Sequence, residues 1–413
     1  MISRRRLMAS LGLLPLIRPG YAAGQRVIII GGGWGGLSAA RHLRALAPEL
    51  EVLLIDRQAA FVSFALSNRW LVDAAAPAPE QHQYRDLAGR FGYRFVQATV
   101  DAIKREQRVV VAADLRLAYD WLIVAPGIRE NWAAWQVDDP AACKPYVGAM
   151  ANAADLLDVK QRLANFTGGD LLMTIPPAPY RCPPAPYERA LFIAWWLKTQ
   201  KIPGKLIIAD PNPLMPAFRH VLLDRFKAQV QYLDHAKVRS VDLARKTVST
   251  EIDDIRFDAA LLCPPQQAAG LVWQAGLIRP EPDGKPSGWA AQAASDGRST
   301  VDPRIFIIGD AAGLVSPQFG YFPKTGQVAN RMGLAVARQI AAEVRGQAAV
   351  PLLPESVCHV TTSLEPAESV RLDTRYRDRG DGFLLQTVQQ VRNPNPAGED
   401  AAWAEAMYRD FLR

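Results

Sequence analysis

Gly31, Gly33 and Gly36 stand on the turn that follows the apolar run Arg26 to Ile30 (RVIII), and this junction limits the fold more than any other stretch. A strand that turns through three spaced glycines into a helix lets a pyrophosphate approach the backbone, because no Cβ stands in the way. Leu37 to Leu46 carries alanine and leucine at helical spacing, so free N–H groups and the positive end of a helix dipole face the turn. Glu51 to Asp56 (EVLLID) predicts the next strand and completes a βαβ unit. Asp56 closes that strand, where a carboxylate accepts hydrogen bonds from ribose hydroxyls.

Alone, the glycine pattern specifies only a dinucleotide. Two later segments narrow it: YDWLIVAPG, ending on Gly127, and RIFIIGDAAG, which carries Gly309 and Asp310. In this order the three segments resemble the two-dinucleotide-binding-domain flavoproteins, the disulfide-reductase-like superfamily. The resemblance implies FAD in the first site, with Asp310 toward the ribityl chain and Trp34, Arg57, Ser67, Asn68, Val100, Ala125, Pro126 and Thr325 among the cofactor contacts. Lys324 precedes a long amphipathic pattern from Gly326 to Val344 and is expected to place a positive charge near the pyrimidine side of the isoalloxazine.

A second α/β stretch begins near residue 146, with strands at Leu171 to Ile175, Lys205 to Asp210 and Phe257 to Cys263, and a helix at Glu188 to Thr199. The expected fold is α/β, with two Rossmann-like, glutathione-reductase-like dinucleotide-binding domains and a small C-terminal α+β domain. Residues 24–145 and 265–345 form the FAD-binding domain, 146–264 a degenerate NAD-binding-like domain, and 346–413 the C-terminal domain.

Residues 1–23 stand apart. A basic start (MISRRR), eleven apolar residues from Leu7 to Ile17 and small residues at Ala22 and Ala23 follow a signal peptide's order, and the apolar run is too short to span a bilayer. Ser3 to Leu7 resembles a twin-arginine signal, which implies export of the folded, cofactor-loaded protein to the periplasm. Taking this segment away removes four arginines and no acid, so the net charge falls from +7 to +3. No basic run remains, which argues against nucleic acid as a partner, and no other stretch suits a membrane helix.

The loop Pro176 to Glu188 (PPAPYRCPPAPYE) holds six prolines and no glycine where a nicotinamide nucleotide would need a phosphate-binding turn. Proline offers no N–H to a phosphate, so electrons are expected to come from another donor. The same loop closely resembles the flavoprotein subunit of flavocytochrome c sulfide dehydrogenase. SNRWLV at 67–72, PPQQAAG at 264–270, SGW at 287–289 and PKTGQVAN at 323–330 fall in that family's order. The resemblance implies oxidation of sulfide or a related small inorganic sulfur compound, with FAD reducing a separate c-type cytochrome chain.

In that family a cysteine pair beside the flavin accepts sulfide, and one member is the cysteine of the proline-rich loop, here Cys182. Alignment on Ser363-Leu364 puts Thr361 at the second position, and the nearest thiol is Cys358, three residues earlier. Three readings stay open: a shifted loop that brings Cys358 to Cys182, Cys182 acting alone, and loss of the sulfide chemistry. Cys263 ends an apolar strand and reads as a buried small hydrophobe, and Cys143 as structural. Cys358-His359 resembles the end of a haem attachment motif, but Glu355 occupies its first cysteine position, so no covalent haem is expected. None of the five histidines has a metal-ligand spacing. A sulfide:quinone oxidoreductase and a non-catalytic flavoprotein partner of a sulfur-oxidising complex are the competing functions.

Overall fold

The computed structural model describes residues 24–413 except residue 75, so the proposed leader lies outside the described residues. The first sheet has five parallel strands in the order Ile305–Ile307, Trp121–Val124, Arg26–Ile30, Glu51–Asp56, Arg94–Gln97. Its inner strands are apolar on both faces, as a parallel sheet covered on both sides requires. The edge strand Ile305–Ile307 comes from late in the chain, so the first domain is discontinuous in sequence.

Helix α1 (Trp34–Leu46) leaves the glycine turn and lies along the sheet. The first helical residue is Trp34, with Gly33 as its cap, three residues before the apolar periodicity begins. The second sheet has four parallel strands in the order Val230–Leu233, Gly204–Ala209, Gly169–Thr174, Ala259–Leu261. Helix α2 (Ala185–Thr199) covers it and starts three residues before the expected Glu188. Pro184 caps it and Pro186 sits in its first turn, where a missing N–H costs no helical hydrogen bond. Helix α3 (Gly326–Val344) has the expected bounds. It packs closely on α1 because Gly333 stands against Gly35, where a Cβ would overlap the Gly35 carbonyl.

The C-terminal segment contains three long antiparallel strands, Ser356–Leu364, Ala367–Asp378 and Leu384–Asn393, and helix α4 (Glu399–Phe411). These elements build no core of their own. Tyr376, Leu384, Tyr408 and Phe411 join the first domain's core, whereas Val360 joins the second's with Cys358 and Leu372 packed against it. The segment therefore straddles both domains, and the strand carrying Cys358 lies against α2. Among the described residues, no helix is long and apolar enough to cross a membrane.

Candidate functional site: a glycine cradle and two thiols

The glycine turn has the geometry that a dinucleotide needs. Gly31 is left-handed (φ 100°) and its missing Cβ would overlap the Ala125 carbonyl, while a Cβ on Gly36 would overlap the Gly31 carbonyl. Gly33, by contrast, faces open space, with nothing within 4 Å of an added Cβ. No side chain caps α1, so the first N–H groups of that helix remain for an anion. Asp56 Oδ2 accepts from the Gly32 N–H at 2.6 Å, and Oδ1 from the Gln58 N–H at 2.8 Å. Tyr84, which carries no motif, lies over Gly32 and donates to its carbonyl at 2.8 Å. The residues present fit a pyrophosphate at Gly31, Gly33 and Gly36, with Asp56 beside it.

The opposite wall comes from the returning part of the first domain. Gly309 is left-handed (φ 78°), and Asp310 Oδ2 accepts from Arg181 Nε at 2.7 Å. Arg181 belongs to the proline-rich loop, and its Nη1 also donates to the Ala151 carbonyl at 2.6 Å. Lys324 is 1% exposed; its ammonium donates to the Ala312 carbonyl at 2.9 Å and lies 3.7 Å from the Trp289 ring centroid. Burial pulls its pKa down to about 7, against the nearby Asp310 charge, which raises it. The ammonium lies among Trp289, Tyr321 and a backbone carbonyl. Thr325 caps α3 and accepts from the Val328 N–H.

Other expected cofactor residues are distributed unevenly. Ala125, Pro126 and Gly127 follow the inner strand Trp121–Val124, and the first two adjoin Gly31. The Trp34 ring packs against Phe61, Tyr408 and Phe411, which leaves its backbone on the cradle side. Arg57 follows Asp56 in an exposed turn, and Val100 is half-buried against the first domain's second apolar cluster. Ser67 and Asn68 are buried, and the Asn68 amide is engaged by Ala185, Glu188 and Arg189 rather than directed to the glycine turn.

Two thiols come together on the other side of the proline-rich loop. Cys182 has a left-handed backbone (φ 50°), a strained conformation for a residue with a Cβ. It is held there by its own N–H, which donates to the Lys324 carbonyl, and by its carbonyl, which accepts from Ala185, both at 2.8 Å. Burial pushes its pKa up to about 12, and the Glu188 charge raises it further. Cys358 is raised well above the usual thiol range by burial, then by Cys182, then by Glu188. Both are free thiols, partly exposed, and the Glu188 charge acts on each. Thr361, three positions along the same strand, projects to the opposite face, where its hydroxyl accepts from Arg69 at 2.9 Å.

Glu188 is the group that the motifs did not single out. Its Oε1 accepts from the Thr361 N–H and its Oε2 from the Asn68 amide, both at 2.9 Å, yet burial raises its pKa overall. A protonatable carboxyl thus stands beside two thiols. Its position six residues after Cys182, just inside α2, was a legible signal for this neighbourhood.

The loop itself is braced by the second domain. Asp210, just past the strand Gly204–Ala209, occupies the place equivalent to Asp56. It accepts from the Tyr187 hydroxyl at 2.6 Å, the Tyr232 hydroxyl at 2.7 Å and the Asn212 N–H at 2.8 Å. Asn212 in turn bonds Pro176 and Ala178. The carboxylate that would meet a nucleotide ribose instead ties down the loop carrying Cys182. Cys143 is buried in an apolar cluster, and Cys263 is buried against Gly148 with its backbone N–H donating to the Thr174 hydroxyl at 2.7 Å.

Comparison with known proteins agrees with this geometry. Residues 25–155 match the family model described as pyridine nucleotide-disulphide oxidoreductase, and residues 157–264 that of the central region of the sulfide dehydrogenase [flavocytochrome c] flavoprotein chain. The chain is 46% identical over 44 residues to the sulfide dehydrogenase [flavocytochrome c] flavoprotein chain of Chlorobaculum thiosulfatiphilum, covering 11% of this chain and 92% of that protein. It is 22% identical over 351 residues to the sulfide-quinone reductase of Aquifex aeolicus (strain VF5), covering 78% of this chain and 77% of that one. The solved sulfide:quinone oxidoreductase from Aquifex aeolicus superposes with a TM-score of 0.71 at 18% identity, over 94% of this chain and 90% of that one. At that identity the superposition speaks to fold alone.

Proposed function

Because the chain belongs to the pyridine nucleotide-disulphide oxidoreductase-like flavoproteins, in the family of the flavocytochrome c sulfide dehydrogenase flavoprotein chain, we propose that it oxidises sulfide at Cys182 and Cys358 and passes the electrons to a separate c-type cytochrome. Its cofactor is FAD, held by Gly31, Gly33 and Gly36 with Asp56 on one side and the Gly309-Asp310 turn on the other. When bound, FAD supplies a two-electron acceptor able to discharge in single-electron steps, which suits a haem partner.

The observation that carries the reading is the fastening of the Cys182 loop to the cofactor cradle, through the Cys182 N–H on the Lys324 carbonyl and Arg181 on Asp310, with the strand of Cys358 packed on the helix that follows the loop. With Cys182 and Cys358 oxidised to a disulfide, HS⁻ forms a bond to one sulfur while the cystine bond breaks. The other sulfur leaves as a thiolate that holds the electron pair. Glu188, with its raised pKa, would take the proton of an incoming H₂S and leave the released thiolate unprotonated. Burial keeps the thiolate poorly solvated, which favours onward transfer of its electron pair.

The proline-rich loop and the engaged Asp210 support a donor other than a nicotinamide nucleotide. The twin-arginine pattern at Ser3 to Leu7 supports export to the periplasm. A second reading, with quinone as acceptor, is favoured by the likeness to the Aquifex aeolicus sulfide-quinone reductase. The acceptor is tested by reducing the holoprotein with sulfide without oxygen, then adding cytochrome c or a soluble quinone. Rapid reoxidation by cytochrome c is expected, whereas reoxidation by quinone alone would reassign the acceptor.

A further inference from the structure

Glu130 and Gln266 stand directly opposite each other on two short antiparallel strands, Ile128–Glu130 and Gln266–Ala268, where the chain passes between the two domains. Residues opposed in this way project to the same face, with Cβ atoms about 5 Å apart. Gln266 is 7% exposed, and its Oε1 accepts from the Arg181 N–H at 2.7 Å. Its Nε2 is buried and has no hydrogen-bond partner among the described residues. Glu130 Oε2 accepts from the Trp132 indole N–H at 3.2 Å, while its Oε1 is buried and equally without a partner.

A buried donor lacking an acceptor and a buried acceptor lacking a donor therefore belong to directly paired residues. Buried polar atoms are rarely left in that state, and each is the natural partner of the other when the carboxyl is ionised. A hydrogen bond to a carboxylate is also stronger than one to a neutral acid. Arg181 immediately precedes Cys182, so the Gln266 hydrogen bond acts on the backbone next to the left-handed turn, and Glu130 is the residue paired with Gln266 across the strands.

We propose that Glu130 is a positioning residue for Cys182: its carboxylate draws the Gln266 amide, and Gln266 in turn fixes the Arg181 backbone and the strained turn that follows. The charge state of Glu130 is set by burial, which pushes its pKa up to about 7, with the Trp132 hydrogen bond and Arg181 lowering it and Asp155 raising it. The thiols of Cys143 and Cys263 are the other titratable groups that feel this carboxyl. Above neutral pH the link is charge-assisted and the loop is held; below it the link weakens and the loop relaxes.

The proposal rests on Cys182 as the sulfide-reacting thiol, but its test does not. The rate at which iodoacetamide alkylates each cysteine of the reduced holoprotein is followed by mass spectrometry from pH 5.5 to 8.5. Wild type is expected to show an inflection near pH 7 at Cys182, superimposed on the ordinary thiolate dependence. Glu130→Gln and Gln266→Met should each remove it and change the Cys182 rate at pH 8 by about three- to tenfold, the net effect of one hydrogen bond. A wild-type profile in Glu130→Gln overturns the proposal, as does an inflection that survives Gln266→Met, the variant that decides the matter should Glu130→Gln not fold. A protein that alkylates as expected yet ignores sulfide would refute the sulfide reading and leave this one standing.

Discussion

The N–H of Cys182 donates to the carbonyl of Lys324 at 2.8 Å, so the loop of one domain is fastened to the strand-to-helix segment of the other. Lys324 then reaches back through its ammonium to Ala312, beside the Gly309-Asp310 turn. The thiol is thereby tied to the cofactor cradle through a backbone hydrogen bond. Cys182→Ser should retain FAD and fold normally, yet slow sulfide-dependent flavin reduction by at least about a thousandfold. Cys143→Ala and Cys263→Ala should remain active. Stopped-flow absorbance of the flavin band checks all three.

Gly36→Ala tests the cradle. The new Cβ would overlap the Gly31 carbonyl, which cannot retreat because its own residue is pressed against Ala125. The variant should lose most of its flavin and about 1–3 kcal/mol of stability, the usual cost of overpacking. The ratio of visible to ultraviolet absorbance after purification reports the first effect, and denaturant unfolding the second.

Lys324 gives a pH signature. Its folded pKa lies near 7, below the ordinary lysine value of 10.5, so between those values the unfolded chain binds the proton that the folded chain lacks. Stability contributed by this group therefore rises with pH across that window, by an amount on the order of several kcal/mol. Lys324→Met should be the more stable protein at neutral pH, and its advantage should shrink toward pH 10. Urea unfolding of both proteins from pH 7 to 10 supplies the comparison.

NADH and NADPH should neither bind nor bleach the flavin. The six-proline loop offers few N–H groups to a phosphate, and Asp210 is already engaged by Tyr187, Tyr232 and Asn212. Anaerobic mixing with either nucleotide should leave the visible spectrum unchanged over minutes.

Much of this arrangement was legible because it depends on local chemistry. The glycine turn, the apolar parallel strands and the bounds of α3 follow from periodicity and from residues that only one backbone conformation accommodates. The C-terminal strands were harder to read. Ala367–Asp378 alternates buried residues such as Thr374 and Tyr376 with exposed arginines, and its apolar side completes cores built by distant segments. The Trp289 ring against Lys324 was not legible, because the two residues lie far apart in sequence. Glu188 was missed for the same reason: its partners, Asn68 and Thr361, lie 120 and 173 residues away. Cys358 could not be aligned with certainty from its neighbours, whereas the strand that carries it brings it into the surroundings of Cys182.

The central claim is that sulfide delivers its electrons through Cys182 to the bound flavin. It is tested most directly by titrating the oxidised holoprotein with sulfide under argon while recording the flavin spectrum. The account predicts loss of the oxidised flavin band in wild type at stoichiometric sulfide and its persistence in Cys182→Ser, with dithionite reducing both. An oxidised band that survives excess sulfide in wild type, or bleaches equally fast in Cys182→Ser, would contradict it.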